Sequence, residues 1–403
     1  MLPRVLVVHN RYRSDSPSGE NQAVDRQIGS LRNAGLEVET YIRSSDEIAD
    51  FSAAERVELA VRPIFSREDA ARIDRVLERF APDIVHIHNV YPLISPAVVT
   101  RAKSHGCRVV QTVHNFRHIC ASGTFFRAGS PCTDCLGKRV AWPAALHACY
   151  RDSRTQSVVM GTAILRHRKT WLQIDRFLPV SEFVADILTT AGIPGEQIRV
   201  VPNSVDDPGP PSALGHGFLF AGRLSKEKGI GLLLDAWEHA ALGNATQLTI
   251  VGDGPERAAV ERAATRLPGV QYAGPVTTDQ VRLHMRESRV VVVPSIWFEA
   301  LPTVLLEAYA CGRPVVATKF GALETLVSPD VGWLAPPNRD GLAATLRTSW
   351  QDTAAAALGR RARELYLALY APDAGLARLM ETYDDLMLAA QSSVRACTNE
   401  VDS

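Results

Sequence analysis

Short, largely apolar runs recur along the chain at intervals that leave room for a helix between them. In the first half they read RVLVVH (4–9), EVETY (37–41), DIVHIH (83–88), RVVQTVH (108–114), RFLPV (176–180) and IRVVP (198–202). In the second half they read GFLFAG (217–222), QLTIVG (247–252), VQYAG (270–274), RVVVVP (289–294) and RPVVAT (313–318). Runs of this kind suit strands covered on both faces, and strand, helix, strand repetition implies a parallel sheet. The intervening stretches carry helical spacing: in ENQAVDRQIGSLRNAG, Ala23, Ile28 and Leu31 share a face and Gly35 suits the end. The expected class is α/β, with two doubly wound, Rossmann-like domains.

The break between them falls in VDDPGPPSALGHG, Val205 to Gly217, where proline and glycine erase any period. A length of 403 residues is itself more than one core accommodates. The expected organisation is therefore 1–204, 205–373, and a C-terminal helix and tail over 374–403. Leu376, Leu379, Tyr383, Leu386 and Met387 give that helix an apolar face that needs a partner surface and suits a return to the first domain. No apolar run approaches the length of a membrane span, and the opening residues read as a strand rather than a leader, so a cytoplasmic setting is expected.

Several strand ends carry chemistry. FLFAGRLSKEKG sets Gly222, Arg223 and Lys228 between a strand and a helix, a glycine turn with two cations suited to an anion. TIVGDGPE repeats the arrangement with Gly252 and Asp253, and TKFGALE places Gly321 after a strand. PSIWFEALPTVLLEA sets Glu299 in the loop after the RVVVV strand and Glu307 inside the helix that Pro302 introduces. One glycine after a strand is ordinarily only a turn. Their gathering at the ends of one sheet, where open α/β sheets bind ligands, points to a site.

AGRLSKEKG, VGDGPE, PSIWFEALPTVLLEA, PNSVD and PSGENQAVDRQIGSLRNAG, taken in order, resemble the family-4 retaining glycosyltransferases of the GT-B fold over most of the chain. The resemblance implies two domains facing across a cleft, the first binding the acceptor and the second a nucleotide-sugar donor. It implies that Glu307 grips the ribose hydroxyls and that Glu299 faces the transferred sugar, beside the amides of Ala300, Leu301, Pro302 and Thr303. Arg223 and Lys228 would hold the diphosphate, so that no catalytic metal is required. Gly19 fits the family's glycine loop, reduced here to Ser18-Gly19, and His114 fits the histidine near the sugar; His9 and His88 also close strands and compete with it. Two departures stand out: Ala300 replaces a glycine, and GALE replaces a Gly-Gly-x-Pro-Glu segment. The implied reaction is sugar transfer with retention, from a UDP-sugar by default, to a glycan, lipid-linked or small-molecule acceptor. Nucleic acid is not an expected partner. A nucleotide-sugar-binding protein or a sugar-nucleotide epimerase shares this architecture. A nicotinamide dehydrogenase is disfavoured, because no Gly-x-Gly-x-x-Gly follows the first strand of either half.

Two features lie outside this scheme. Cys120, Cys132, Cys135 and Cys149 concentrate four of seven cysteines in a loop over 118–150, and the Cys132/Cys135 spacing is compatible with a structural zinc, with His118 or His147 as substitute ligands. The zero net charge also conceals an asymmetry: residues 101–176 hold 13 basic and 3 acidic residues. Within that stretch RDSRTQSVVMGTAILRHRKTW interleaves Val158, Val159, Ile164 and Leu165 with Arg154, Arg166, Arg168 and Lys169. Such a helix is either a solvated cationic surface or a peripheral contact with an anionic membrane at its inner face.

Overall fold

The computed structural model describes residues 2–14, 18–243 and 246–401. The first-half strands are β1 (Val5–Arg11), β2 (Val38–Ser44), β3 (Ile84–Ile87), β4 (Arg108–Val113), the two-residue hairpin β5 (Phe126–Arg127) and β6 (Ser130–Pro131), and β7 (Arg176–Pro179). The second half contributes β8 (Phe218–Ala221), β9 (Leu248–Val251), β10 (Val270–Gly274), β11 (Val290–Val293), β12 (Val315–Thr318) and β13 (Gly332–Ala335).

The chain divides into two compact units. Unit 1 comprises residues 1–123, 133–202 and 375–403, and unit 2 comprises 124–132 and 203–374. The hairpin β5–β6 thus belongs with unit 2, although the sequence places its cysteine loop in the first half. The helix Pro372–Val401 belongs mostly to unit 1, where Leu379, Tyr383 and Leu386 are buried in one core with Val5, Val7, Ile84 and Val110. Its apolar face is satisfied by that sheet.

Each unit holds one wholly parallel sheet, ordered β2-β1-β3-β4-β7 in unit 1 and β10-β9-β8-β11-β12-β13 in unit 2. The second is the doubly wound order 3-2-1-4-5-6, and the first is the related order 2-1-3-4-5. Both are Rossmann-like. Residues Val290 to Val293 are buried without exception, as a β-branched run in a covered strand requires.

Three local readings need correction. Residues 198–202 form no named strand, only a bridge from Ile198 to Phe177, although Arg199 and Val201 donate to the Phe177 and Pro179 carbonyls at 2.9 and 3.0 Å. The sixth strand of unit 2 is β13, whose GWLA sequence lacks the β-branched signal of its neighbours. Pro302 stands as the cap before the helix Thr303–Ala310 rather than inside its first turn.

Candidate functional site

In a doubly wound sheet the two central strands send their connections to opposite faces, so the loops after them part and leave a crevice. In unit 2 those strands are β8 and β11. Gly222 and Arg223 follow β8, and Arg223 is exposed with no ion-pair partner among the described residues. The loop turns at Gly229, whose φ is +71°; a Cβ there would collide with the Pro294 carbonyl oxygen just after β11. Only glycine allows the two loops so close an approach.

That approach brings Lys228 to Glu299. The Lys228 Nζ donates to Glu299 Oε1 at 2.6 Å, and Ser295 Oγ donates to the same oxygen at 2.7 Å. Glu299 is 5% exposed, so its charge depends on these partners. Burial by itself pushes its carboxyl upward; the charge of Lys228 and its hydrogen bond outweigh that and hold it below the ordinary glutamate value. The ammonium also stands 5.3 Å from the Trp297 ring centroid. The two residues are therefore one ion pair, a coupling that spacing alone does not reveal.

Around the pair, Gly252 follows β9, and a Cβ there would strike the Gly222 carbonyl, which again explains the glycine. Asp253 is exposed, its Oδ1 accepting from the Gly254 amide at 2.8 Å. Ala300, Leu301 and Pro302 lead into the helix Thr303–Ala310, which has no side-chain cap; Leu305 N–H donates to the Pro302 carbonyl at 3.1 Å, which leaves the amides of Thr303 and Val304 for another acceptor. Glu307 is half-buried one turn into this helix. Gly321, at φ +55°, precedes the short helix Leu323–Leu326. The hairpin contributes Phe125, edge-on to Phe298 at 6.2 Å, and Phe298 in turn packs on Phe320 at 4.7 Å. This aromatic row braces the loop that carries Glu299.

In unit 1 the switch falls between β1 and β3. His9 lies near the end of β1, His86 within β3, and His88 and His114 just beyond β3 and β4. The rings of His86 and His88 stack at 4.7 Å, and those of His88 and His114 at 5.3 Å. His88 Nδ1 is 3.0 Å from His114 Nε2, so one nitrogen donates, the other accepts, and the two tautomers are coupled. His86 is fixed by Thr112 Oγ1 at 2.7 Å and Tyr383 OH at 2.6 Å. Burial pushes His86 and His114 down to about 3, and lowers His88 and His9 as well. The group is neutral at pH 7.

His88 and His114 line a pocket with Glu20, Tyr91, Asn115 and Arg117. Glu20, unremarked in the sequence, follows Gly19 at the start of the helix Gly19–Asn33; its Oε2 accepts from Tyr12 OH at 3.1 Å and from Asn115 Nδ2 at 3.3 Å. Ser18 caps this helix by accepting from the Asn21 amide, whereas Ser16 and Pro17 of the same loop lie outside the described residues. No local motif announces Tyr12, Glu20 and Arg117; their convergence is a product of the sheet.

Nothing in the described residues lends support to the structural zinc that the cysteine spacing suggests. Among the described residues no group of three or more His, Cys, Asp or Glu side chains is placed to hold an ion. Cys132 instead closes the hairpin, its amide donating to the Phe125 carbonyl at 2.7 Å, and Thr133–Leu136 folds as a turn. Cys120 Sγ lies 3.2 Å from Ser122 Oγ, Cys135 is buried, and Cys149 is half-buried. Among the described residues, no helix is long and apolar enough to cross a membrane.

Comparison with known proteins matches each half separately. The family model described as Glycosyltransferase Family 4 matches residues 17–207, and that described as Glycosyl transferases group 1 matches 215–352. An uncharacterized glycosyltransferase of Methanocaldococcus jannaschii is 34% identical over 131 residues, 31% of this chain and 33% of the relative. A GDP-mannose-dependent alpha-(1-6)-phosphatidylinositol dimannoside mannosyltransferase of Mycobacterium tuberculosis is 34% identical over 130 residues, 32% and 33% of the two chains. The matched part thus spans about a third of these relatives' length. Among solved structures, Anabaena HepE in complex with UDP superposes with a TM-score of 0.65 at 18% identity, covering 95% of this chain and 100% of that one. With both halves matched in order and the two sheets of the GT-B fold in place, the chain belongs to the family-4 glycosyltransferases.

Proposed function

We propose that the protein transfers a sugar, with retention of anomeric configuration, from a nucleotide diphosphate donor to a hydroxyl of a glycan, lipid-linked or small-molecule acceptor. The observation that carries this reading is the Lys228–Glu299 pair at the switch point of unit 2, flanked by Arg223, Gly222 and the uncapped helix Thr303–Ala310. Negative charge builds on the leaving diphosphate. Arg223, Lys228 and the free helix amides are the groups that stabilise it, without a catalytic metal. Glu307 accepts from the ribose hydroxyls, since a carboxylate can take two neighbouring donors. Glu299, ionised beside Lys228, faces the sugar, with Gly252, Asp253 and Gly321 shaping the surrounding backbone.

His114 is the unit 1 group assigned to the sugar, held neutral so that it forms a hydrogen bond without placing a charge near the developing oxocarbenium. Gly19 lies at the helix N-terminus assigned to the donor phosphate. Uridine is the favoured base, in keeping with the UDP bound by HepE. We place the reaction in the cytoplasm, with a peripheral contact to anionic membrane through Val158 and Leu165, both exposed among Arg154, Arg166 and Lys169 on a helix with no acidic residue.

The test is calorimetric binding of UDP, GDP, ADP and NAD with chelator present, repeated on Arg223→Ala. One nucleoside diphosphate binds, and the variant weakens it by about 10- to 150-fold, the equivalent of about 1.5–3 kcal/mol for one charged contact. Binding of NAD alone, or of nothing, overturns the donor assignment.

A further inference from the structure

A second cavity, of about 330 Å³, lies in unit 1 between the helices Ala53–Val61 and Arg154–Trp171, beside the 3-10 helix Ser45–Asp50 and the loop at residues 150 and 151. The buried members of its wall are apolar: Leu59, Pro63, Pro92 and Met160. Three of its exposed members are Arg13, Arg56 and Arg151. Among the described residues no acidic side chain lines the cavity, and none of the three arginines forms an ion pair.

The cations are placed by the backbone and by an aromatic ring instead. Arg56 donates from Nε to the Phe51 carbonyl at 3.0 Å and from Nη2 to the Ala49 carbonyl at 3.3 Å, which fixes the plane of its guanidinium. The Arg151 guanidinium stands 5.4 Å from the centroid of the Tyr150 ring, and Tyr150 also lines the cavity. Asp46 is the carboxylate whose charge Arg13 feels, but its oxygens are engaged elsewhere: Oδ1 accepts from the Ser14 amide at 3.0 Å and Oδ2 from Ser44 Oγ at 2.9 Å. Three guanidinium groups without a paired carboxylate around an apolar wall match a ligand that offers both an anion and an apolar face. Small-molecule pockets begin at about 300 Å³, so a cavity of this size suits one ring rather than an acyl chain or a nucleotide. A hexuronate meets each requirement. Its carboxylate takes paired N–H bonds from a guanidinium, the C–H face of its ring covers Tyr150 and Met160, and its hydroxyls meet the Gln156 amide, which also lines the cavity.

The cavity adjoins the pocket of His88 and His114. Tyr91 lines that pocket and the next residue, Pro92, lines this cavity, while Arg117 of that pocket is coupled electrostatically to Tyr150 of this one.

We propose that this cavity is a subsite for an acidic pyranose, a hexuronate within a glycan acceptor, its carboxylate held by the arginines and its neighbouring sugar reaching the pocket of His88 and His114. That this glycan is the acceptor rests on the transferase reading above; that the acidic sugar binds does not.

Calorimetry on the full chain without nucleotide tests the site, with methyl β-D-glucuronide and methyl α-D-galacturonide as probes. Methyl β-D-glucoside, which lacks the carboxylate, and inorganic phosphate, which lacks the ring, serve as comparisons. One of the uronides binds at least about tenfold tighter than either comparison, the worth of one charge-assisted contact. Arg13→Glu with Arg151→Glu, both exposed, removes the advantage over the glucoside. Ala60→Trp, introduced from an exposed position on the wall, fills the cavity and abolishes binding. Urea unfolding of the variants checks the fold; should either be less stable than the parent, Arg13→Gln alone weakens the uronide while leaving the glucoside unchanged. Equal binding of uronides and glucoside, phosphate bound as tightly as the uronides, or binding indifferent to the arginine substitutions overturns the site. The acceptor role is judged separately, by turnover of the nucleotide sugar with a uronate-containing oligosaccharide and with its carboxyl-reduced form. Reduction raises the acceptor KM in the parent but not in the charge-reversed variant, whose donor affinity is unchanged; equal KM values in the parent overturn that role. If a uronide binds but no nucleotide sugar is consumed, the transferase reading falls and the site stands; if the nucleotide sugar is consumed but no uronide binds, the reverse holds.

Discussion

Replacing Lys228 by methionine isolates the central ion pair of unit 2. The substitution keeps the aliphatic stem and removes the ammonium from a carboxylate that is 5% exposed, leaving Ser295 Oγ still donating to Glu299 Oε1. Truncating one partner of a buried pair costs about 3–5 kcal/mol. Because the Lys228 side chain is itself 28% exposed and water reaches that end of the pair, the lower figure of about 3 kcal/mol applies. The loss should depend on pH in a definite direction. In the parent, Glu299 has a depressed pKa, so its stabilisation is present above the unfolded value of about 4.3 and fades as pH falls through the folded value. In Lys228→Met burial acts unopposed, the folded pKa rises, and protonation relieves the strain. The gap between parent and variant is therefore widest near pH 8 and narrows toward pH 4.5. Hydrogen exchange of the amides in 290–310 across that range reads the stability of this region directly. Glu299→Gln, placed in the variant background, recovers at least 1 kcal/mol at pH 8, since an uncharged amide no longer needs the cation. A loss below 1 kcal/mol, no pH dependence, or no recovery by Glu299→Gln would refute the coupling.

Two further outcomes follow from unit 1. Since His86 and His114 are pushed down to about 3, the unfolded state binds more protons than the folded state between about pH 3 and 6.5; unit 1 therefore loses stability as pH falls below 6.5, by up to about 1.4 kcal/mol per unit for each group, which urea unfolding at pH 7, 6 and 5 measures. His88→Asn frees His114 from the ring that fixes its tautomer, and should lower the transfer rate about 10- to 100-fold while leaving nucleotide affinity unchanged, as paired turnover and calorimetry will report.

The parts of this fold that were legible in the sequence are those that local chemistry specifies. Val290 to Val293 announce a covered strand because β-branched residues fill both faces, and Glu307 falls inside a helix because Leu305, Leu306 and Tyr309 set the period around it. The apolar face of Leu379, Tyr383 and Leu386 was legible in the same way. What spacing cannot supply is register. The histidines at 9, 86, 88 and 114 come from three strands, and their assembly, stacked for 86, 88 and 114 and edge-on for 9, exists because β3 pairs β1 on one side and β4 on the other. The alternation of His86 and His88 did signal a shared face. The Lys228–Glu299 pair likewise needs the approach at Gly229, and the Cys132/Cys135 spacing by itself defines only half a tetrahedron.

The return of the helix Pro372–Val401 to unit 1 bears on how the chain is made. During synthesis the strands of unit 1 leave the ribosome first, yet their core stays incomplete until Leu379, Tyr383 and Leu386 arrive, nearly 300 residues after β3. Such distant closure is slow, because the intervening chain must be ordered or looped before the contact forms. Unit 2 is nearly continuous and can finish before its neighbour. During that interval the sheet face around Val5, Ile84 and Val110 is covered only in part, by Val24, Ile28 and Leu31, so the nascent chain exposes apolar surface that the finished one buries.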